Sequence, residues 1–159
     1  MITFLQPIKF NKTELHDFFE EAFDYDGEDK QALNEWLSID ELIKRKNEGA
    51  LFLAYDESKI IGGCFITKQN PITYVDGKKL EILILAVLNK YRNQGIASTL
   101  LKLSEEYAIQ VGAQKIILNT HIDEKGAQAF YTKQGYDNIG ILKNYYSNGD
   151  AVFFQKVLV

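Results

Sequence analysis

Hydrophobic and polar positions alternate along this chain with two periods, and they divide it into strands and helices. Ile2 to Phe10 reads as a first strand closed by Asn11-Lys12-Thr13, with Thr13 as the N-cap of a helix over Glu14 to Phe23. Helical spacing returns from Asp29 to Leu37 and again from Ser38 or Asp40 to Asn47-Glu48-Gly49. Ala50 to Tyr55 and Lys59 to Lys68 form an antiparallel pair around Asp56-Glu57-Ser58, with Gly62-Gly63 marking a bulge or a close backbone approach. Asn70-Pro71 breaks that strand, and Asp76-Gly77 signals a turn.

The next stretch organises the rest. Leu80 to Val87 is apolar except for Glu81, as suits a central strand buried on both faces. Ile96, Leu100, Leu103, Tyr107 and Val111 then recur at helical spacing, leaving Lys102, Glu105, Glu106 and Gln110 for water, and Gly112 follows as the C-terminal stop. Lys115 to Thr120 is a further strand, so strand, helix and strand make a right-handed parallel crossover. A short helix spans Glu124 to Gln134, and Ile139 to Ser147 pairs with Asp150 to Leu158 as a hairpin around Asn148-Gly149. The fold class is α/β: a mixed, mostly antiparallel sheet with a central parallel crossover and helices on both faces. No linker or repeat interrupts residues 1–159, which are expected to form a single domain.

Composition narrows the classes. The net charge of −4 argues against a nucleic-acid binder, which normally carries a basic face. No run approaches the length of a membrane span, so no membrane partner is expected. The single cysteine, Cys64, excludes an intrachain disulfide and sits in an apolar run, which reads as a buried, inert thiol in a cytoplasmic protein. His16 and His121 are isolated and no CxxC pair exists, so no metal site is expected.

Between the central strand and its helix lies Arg92-Asn93-Gln94-Gly95-Ile96-Ala97. A strand turning into a helix N-terminus aims backbone N–H groups and a positive dipole end at one point, where an anion can bind. This Arg-x-x-Gly-x-Ala run resembles the pyrophosphate loop of the GNAT N-acetyltransferases. Ala127-x-x-Phe130-Tyr131-x-x-x-Gly135-Tyr136 resembles that family's second motif.

The resemblance implies acetyl-CoA as co-substrate and transfer of its acetyl group to an amine by direct attack in a ternary complex. It places Leu85, Val87, Arg92, Asn93, Gln94, Gly95, Ile96, Ala97, Ser98 and Phe130 around the coenzyme, with the Val87 amide freed by a strand bulge to stabilise the oxyanion. Tyr131 occupies the general-acid position and Glu81 the position of a base acting through water, with His121 as the alternative base. A homodimer is compatible with it, the family being often dimeric. The other reading of the fold is a non-catalytic acyl-CoA-binding regulatory module.

The chain departs from the family pattern at Asn89, where proline is common, and at Glu124, where asparagine is common. In the family the region between the first two helices forms one wall of the acceptor pocket, so the resemblance implies that role for the Asp17–Asp29 segment, where seven carboxylates stand without a Lys or Arg; the other reading is a solvated acidic helix end. Tyr25, Asp26 and Glu28 in that segment and Tyr145 in the hairpin are the substrate-binding residues expected, favouring a cationic small molecule or peptide amine.

Overall fold

The computed structural model describes residues 1–23, 49–68 and 79–158. In chain order the strands are β1 (Ile2–Leu5), β2 (Gly49–Asp56), β3 (Lys59–Lys68), β4 (Lys79–Val87), β5 (Lys115–His121), β6 (Asp137–Tyr146) and β7 (Gly149–Val157). The helices are α1 (Lys12–Phe23), α2 (Ile96–Gln110) and α3 (Lys125–Lys133). The strands hydrogen-bond in the order β1-β2-β3-β4-β5-β7-β6, with β4 and β5 parallel. The described residues gather in two compact units, one from Met1–Thr67 with Leu83–Ser104 and the other from Lys68–Ile82 with Glu105–Val159.

In the first unit, β1 pairs with β2 and β2 with β3, both antiparallel. The bulge expected at the glycine pair is real: Ala54 faces Gly62 but Tyr55 faces Ile60, so Ile61 is the extra residue. The close approach is real too. A Cβ at Gly62 would meet Ile96 and Leu100 of α2 at 3.0 and 3.1 Å, and one at Gly63 would meet Leu53 and Phe18 at 3.2 Å. Two adjacent glycines thus let a helix lie close on each face of β3. Leu15, Phe18, Phe19 and Ala22 turn inward from α1.

Several boundaries differ from the sequence pattern. β1 stops at Leu5 rather than Phe10. α1 begins at Lys12, and its cap is Asn11, not Thr13: Asn11 Oδ1 accepts the Thr13 N–H at 3.0 Å and the Glu14 N–H at 3.5 Å. The expected helices from Asp29 to Gly49 and the Asn70-Pro71 and Asp76-Gly77 signals lie largely or wholly outside the described residues.

α2 presents a different inner face from the one its spacing suggests. Ile96, Leu100, Leu101, Ser104 and Ala108 are buried, Leu103 and Tyr107 are half-buried, and Val111 is 51% exposed. Both candidate stripes are apolar, and small Ser104 and Ala108 allow the closer packing. The Ser104 hydroxyl donates to Cys64 Sγ at 3.1 Å, inside a region where Cys64 is fully buried and its thiol is pushed up to about 12.

In the second unit, Lys79–Glu81 run parallel to Lys115–Ile117, and β7 lies antiparallel between β5 and β6. α2 and α3 end alike. Gly112 and Gly135 adopt φ +80° and +83°, while Ala113 N–H reaches Ala108 O and Tyr136 N–H reaches Tyr131 O. The hairpin closes one residue earlier than expected: Tyr146 pairs with Gly149, so Ser147-Asn148 is the turn.

Candidate functional site

The first group of candidate residues sits where β4 ends. Ile82, Ile84, Ala86 and Val87 are buried and Leu85 is half-buried, as alternate positions of an inner strand should be. After Val87 a short 3₁₀ turn, Asn89–Tyr91, stands in place of the family's proline. Asn89 is its first residue, where a proline would lose no backbone bond and asparagine serves as well. Arg92 follows. Its Nε donates to Val87 O at 2.9 Å and its Nη2 to Ala22 O at 3.1 Å, so the guanidinium clamps the strand end to the last turn of α1. Two of its five N–H donors are therefore committed within the protein.

Asn93 and Gly95 both take left-handed backbone conformations, φ 60° and 82°, and Gln94 Nε2 donates to Lys90 O. The first i to i−4 bond of α2 runs from Thr99 N–H to Gly95 O at 3.0 Å. The N–H groups of Gly95, Ile96 and Ala97 thus lie ahead of the helical ladder, at its positive end. A Cβ built on Gly95 would meet nothing within 4 Å, so space in front of the loop is open. Ile96 is buried beneath it, and Ala97 and Ser98 are half-buried. This is an open cradle of backbone donors, and it fits a phosphate-bearing ligand.

Tyr131 belongs to the other unit. It is 8% exposed, on the inner face of α3, with ring centroids 5.3 Å from Phe130, 5.9 Å from Tyr136 and 5.8 Å from Phe154. The motif spacing has a local cause: Gly135 supplies the left-handed cap, and Tyr136 folds back onto Tyr131, five residues earlier, as that cap requires. Tyr136 OH then donates to Glu105, which Lys156 also grips at 2.9 Å. Glu105, expected in water, is instead half-buried and ion-paired. Glu124 is exposed at the start of α3, and its side chain makes no capping bond.

One face of the second unit collects the remaining candidates. Glu81 is opposite Ile117, and Asn119 and His121 follow on the same side of β5 as alternate residues. Phe153 and Ala151 of β7 pair with them. An irregular stretch of β6 around Asn144, φ 52°, brings Tyr145 and Tyr146 together over this face. The Tyr145 ring meets Phe153 at 5.4 Å and Tyr146 at 5.1 Å, and Tyr146 meets His121 at 5.5 Å. Tyr146 OH donates to Asn119 Oδ1.

Burial, and secondarily the charge of Glu81, raise the Tyr145 phenol above its ordinary value, while a hydrogen bond from Asn119 pulls the other way. Glu81 and Tyr145 are thus brought together. Asn119 and Phe153 were not singled out from sequence, although their alternation with Ile117 and His121 on β5 and β7 was the available signal. Tyr25, Asp26 and Glu28 lie outside the described residues. Of the acidic segment that is described, Glu21 is paired with Lys59 at 2.9 Å and Glu20 lies 3.7 Å from His16.

Among the described residues no cluster of three metal-ligating side chains occurs, and no helix is long and apolar enough to cross a membrane. The model of the Acetyltransferase (GNAT) family matches residues 12–136. N-alpha-acetyltransferase 30 of Schizosaccharomyces pombe is 36% identical over 104 residues, covering 64% of this chain and 67% of that protein. The fold is shared with Ard1 from Thermoplasma volcanium, at a TM-score of 0.77 and 20% identity over 99% of this chain and 98% of that one. It is shared too with a Bacillus subtilis acetyltransferase crystallised with CoA, at a TM-score of 0.72 and 20% identity over the whole of both chains. An open loop of backbone donors, the second motif and a family match across both place this chain in the GNAT family, as an N-acetyltransferase that uses acetyl-CoA and an amine acceptor.

Proposed function

We propose that the acceptor is the α-amine at the N-terminus of a polypeptide. The observation that carries this reading is the Tyr145–Tyr146 pair over Glu81, Asn119 and His121, taken with the N-alpha-acetyltransferase likeness at 36% identity. A face that sets aromatic rings beside a carboxylate and an amide suits a primary amine on an extended backbone, through cation–π attraction and hydrogen bonding.

Acetyl-CoA supplies the acetyl group as an activated thioester. The residues that would hold it are the Gly95–Ser98 turn, whose N–H donors and helix end favour the pyrophosphate charge, with Leu85 and Val87 offering apolar surface. Arg92 serves there chiefly by fixing the loop, since its guanidinium already grips Val87 O and Ala22 O. Glu81 takes the amine proton through water, because an amine with a pKa near 10 is mostly charged at neutral pH. Tyr131 gives a proton to the departing thiolate. The chain works as a single acetyltransferase domain.

Purified protein with acetyl-CoA should acetylate peptides bearing a free N-terminus and spare the same peptides when the N-terminus is blocked, internal lysines included. Transfer to lysine side chains or only to small free amines would overturn the reading.

A further inference from the structure

We infer that Gly149 is a positioning residue for His121: the imidazole can occupy its place only because residue 149 carries no side chain. The ring is the last residue of β5, and its Nδ1 accepts the Asp123 N–H at 3.2 Å. Asp123 Oδ2 lies 3.5 Å from the same atom, but the nearer N–H takes the Nδ1 lone pair, so in the neutral ring the proton sits on Nε2. That atom is buried and finds no hydrogen-bond partner among the described residues. It rests against the backbone of Gly149, where an added Cβ would come within 2.5 Å of Nε2 and 2.9 Å of Cε1.

Nothing in the backbone itself asks for glycine here, since Gly149 is not among the residues at positive φ. The open face is boxed in. Tyr146 lies 5.5 Å away across the ring with its hydroxyl tied to Asn119, and Gly149 pairs directly with Tyr146. Asp150, next in line, is fixed by Lys143 at 2.8 Å and by the Asn144 N–H at 2.9 Å, while its own carbonyl accepts the Ile122 N–H. The hairpin end is therefore held on both sides of β7. A methyl group at 149 must either push the imidazole off the Asp123 N–H or lift the hairpin from β5. The effect on amine transfer rests on the acceptor reading above; the effect on the ring does not.

Nitrogen NMR of the imidazole, recorded without acetyl-CoA or amine, tests the ring directly. The unaltered protein should show an unprotonated Nδ1 and a protonated Nε2. Gly149→Ala should shift or mix that tautomer signature, whereas Gly126→Ala, where an added Cβ meets nothing within 4 Å, should leave it as it was. In steady-state kinetics Gly149→Ala should raise KM for the amine by about ten- to a hundredfold, the usual consequence of a small displacement in a site, and leave KM for acetyl-CoA within about twofold. Unfolding measurements complete the set: Gly149→Ala should destabilise the protein when His121 is present and have little effect in a His121→Ala background. A variant that folds only in that background supports the inference equally. An unchanged tautomer, or an equal loss of stability with and without His121, overturns it. If no amine is acetylated, the acceptor reading fails while the NMR and unfolding arms still decide this one.

Discussion

Tyr131 is asked to do two things with one side chain: its ring fills the space between Phe130, Tyr136 and Phe154, and its hydroxyl is proposed to protonate the leaving thiolate. Tyr131→Phe separates them, because it keeps the ring and removes the proton. Turnover should fall by about 10²–10⁴, the usual range for a general acid, with acetyl-CoA affinity and melting temperature little changed. Equilibrium binding and single-turnover rates on the same preparation would show a packing-only role if the rate survived. Cys64 is the opposite case, a group with chemistry available and none in use. Burial holds its thiol at about 12 from an ordinary value of 9.0, the Ser104 hydroxyl opposing only in part. The folded state therefore keeps its proton where the unfolded chain would lose it. Stability from this group is complete below about pH 9 and declines as pH rises towards about 12. A Cys64→Ala variant should lose that alkaline slope in denaturant titrations, and the native thiol should stay inert to aromatic disulfides at neutral pH.

At the level of elements, the strand-to-helix turn after β4 is the piece with the sharpest expectation. Gly95→Ala adds the strain of a side chain at φ 82°, about 1–2 kcal/mol, without adding charge. Gly95→Glu adds the same strain and a carboxylate facing the cradle. The alanine variant should lose stability but bind acetyl-CoA within a few-fold, while the glutamate variant should bind roughly a hundredfold more weakly, each about 1.4 kcal/mol being tenfold; calorimetry on both decides it. The cap of α3 makes a matching case without function: Gly135→Ala should cost about 1–2 kcal/mol in chemical denaturation through its left-handed backbone. These two glycines were legible in the sequence because turns and caps are local. So were the strand order of the crossover and the motif on α3. The inner face of α2 was not, because Leu101, Ser104 and Ala108 compete with Leu103, Tyr107 and Val111 at the same period, and only the partner surface chooses. Asn11 as the cap of α1 was missed by two positions for a related reason: Asn11 and Thr13 are both good caps, and the helix starts wherever the first free N–H groups meet an acceptor.

Across the whole molecule, what the sequence could not convey is contact between distant segments. Glu105 looks like a solvated helix residue until Lys156 of β7 and Tyr136 converge on it, and His121 looks isolated until Gly149 arrives beside it. Removing a large buried side chain should be costly as well. Leu118→Ala, at a position 1% exposed and paired with Phe154, should lower stability by about 2–5 kcal/mol, measured by denaturant unfolding. The place of β7 has a consequence for synthesis. The strand lies between β5 and β6, yet it leaves the ribosome after both of them. Until it emerges, β5 and β6 each present a bare edge, and the apolar Leu118 and Ile116 have no cover from Phe154 and its neighbours. The nascent chain must therefore wait, its C-terminal half sticky and unpaired, for one late strand to slot in. That half should be the part that engages chaperones during translation, and a stop codon just before Gly149 should yield an aggregating product rather than a shortened enzyme.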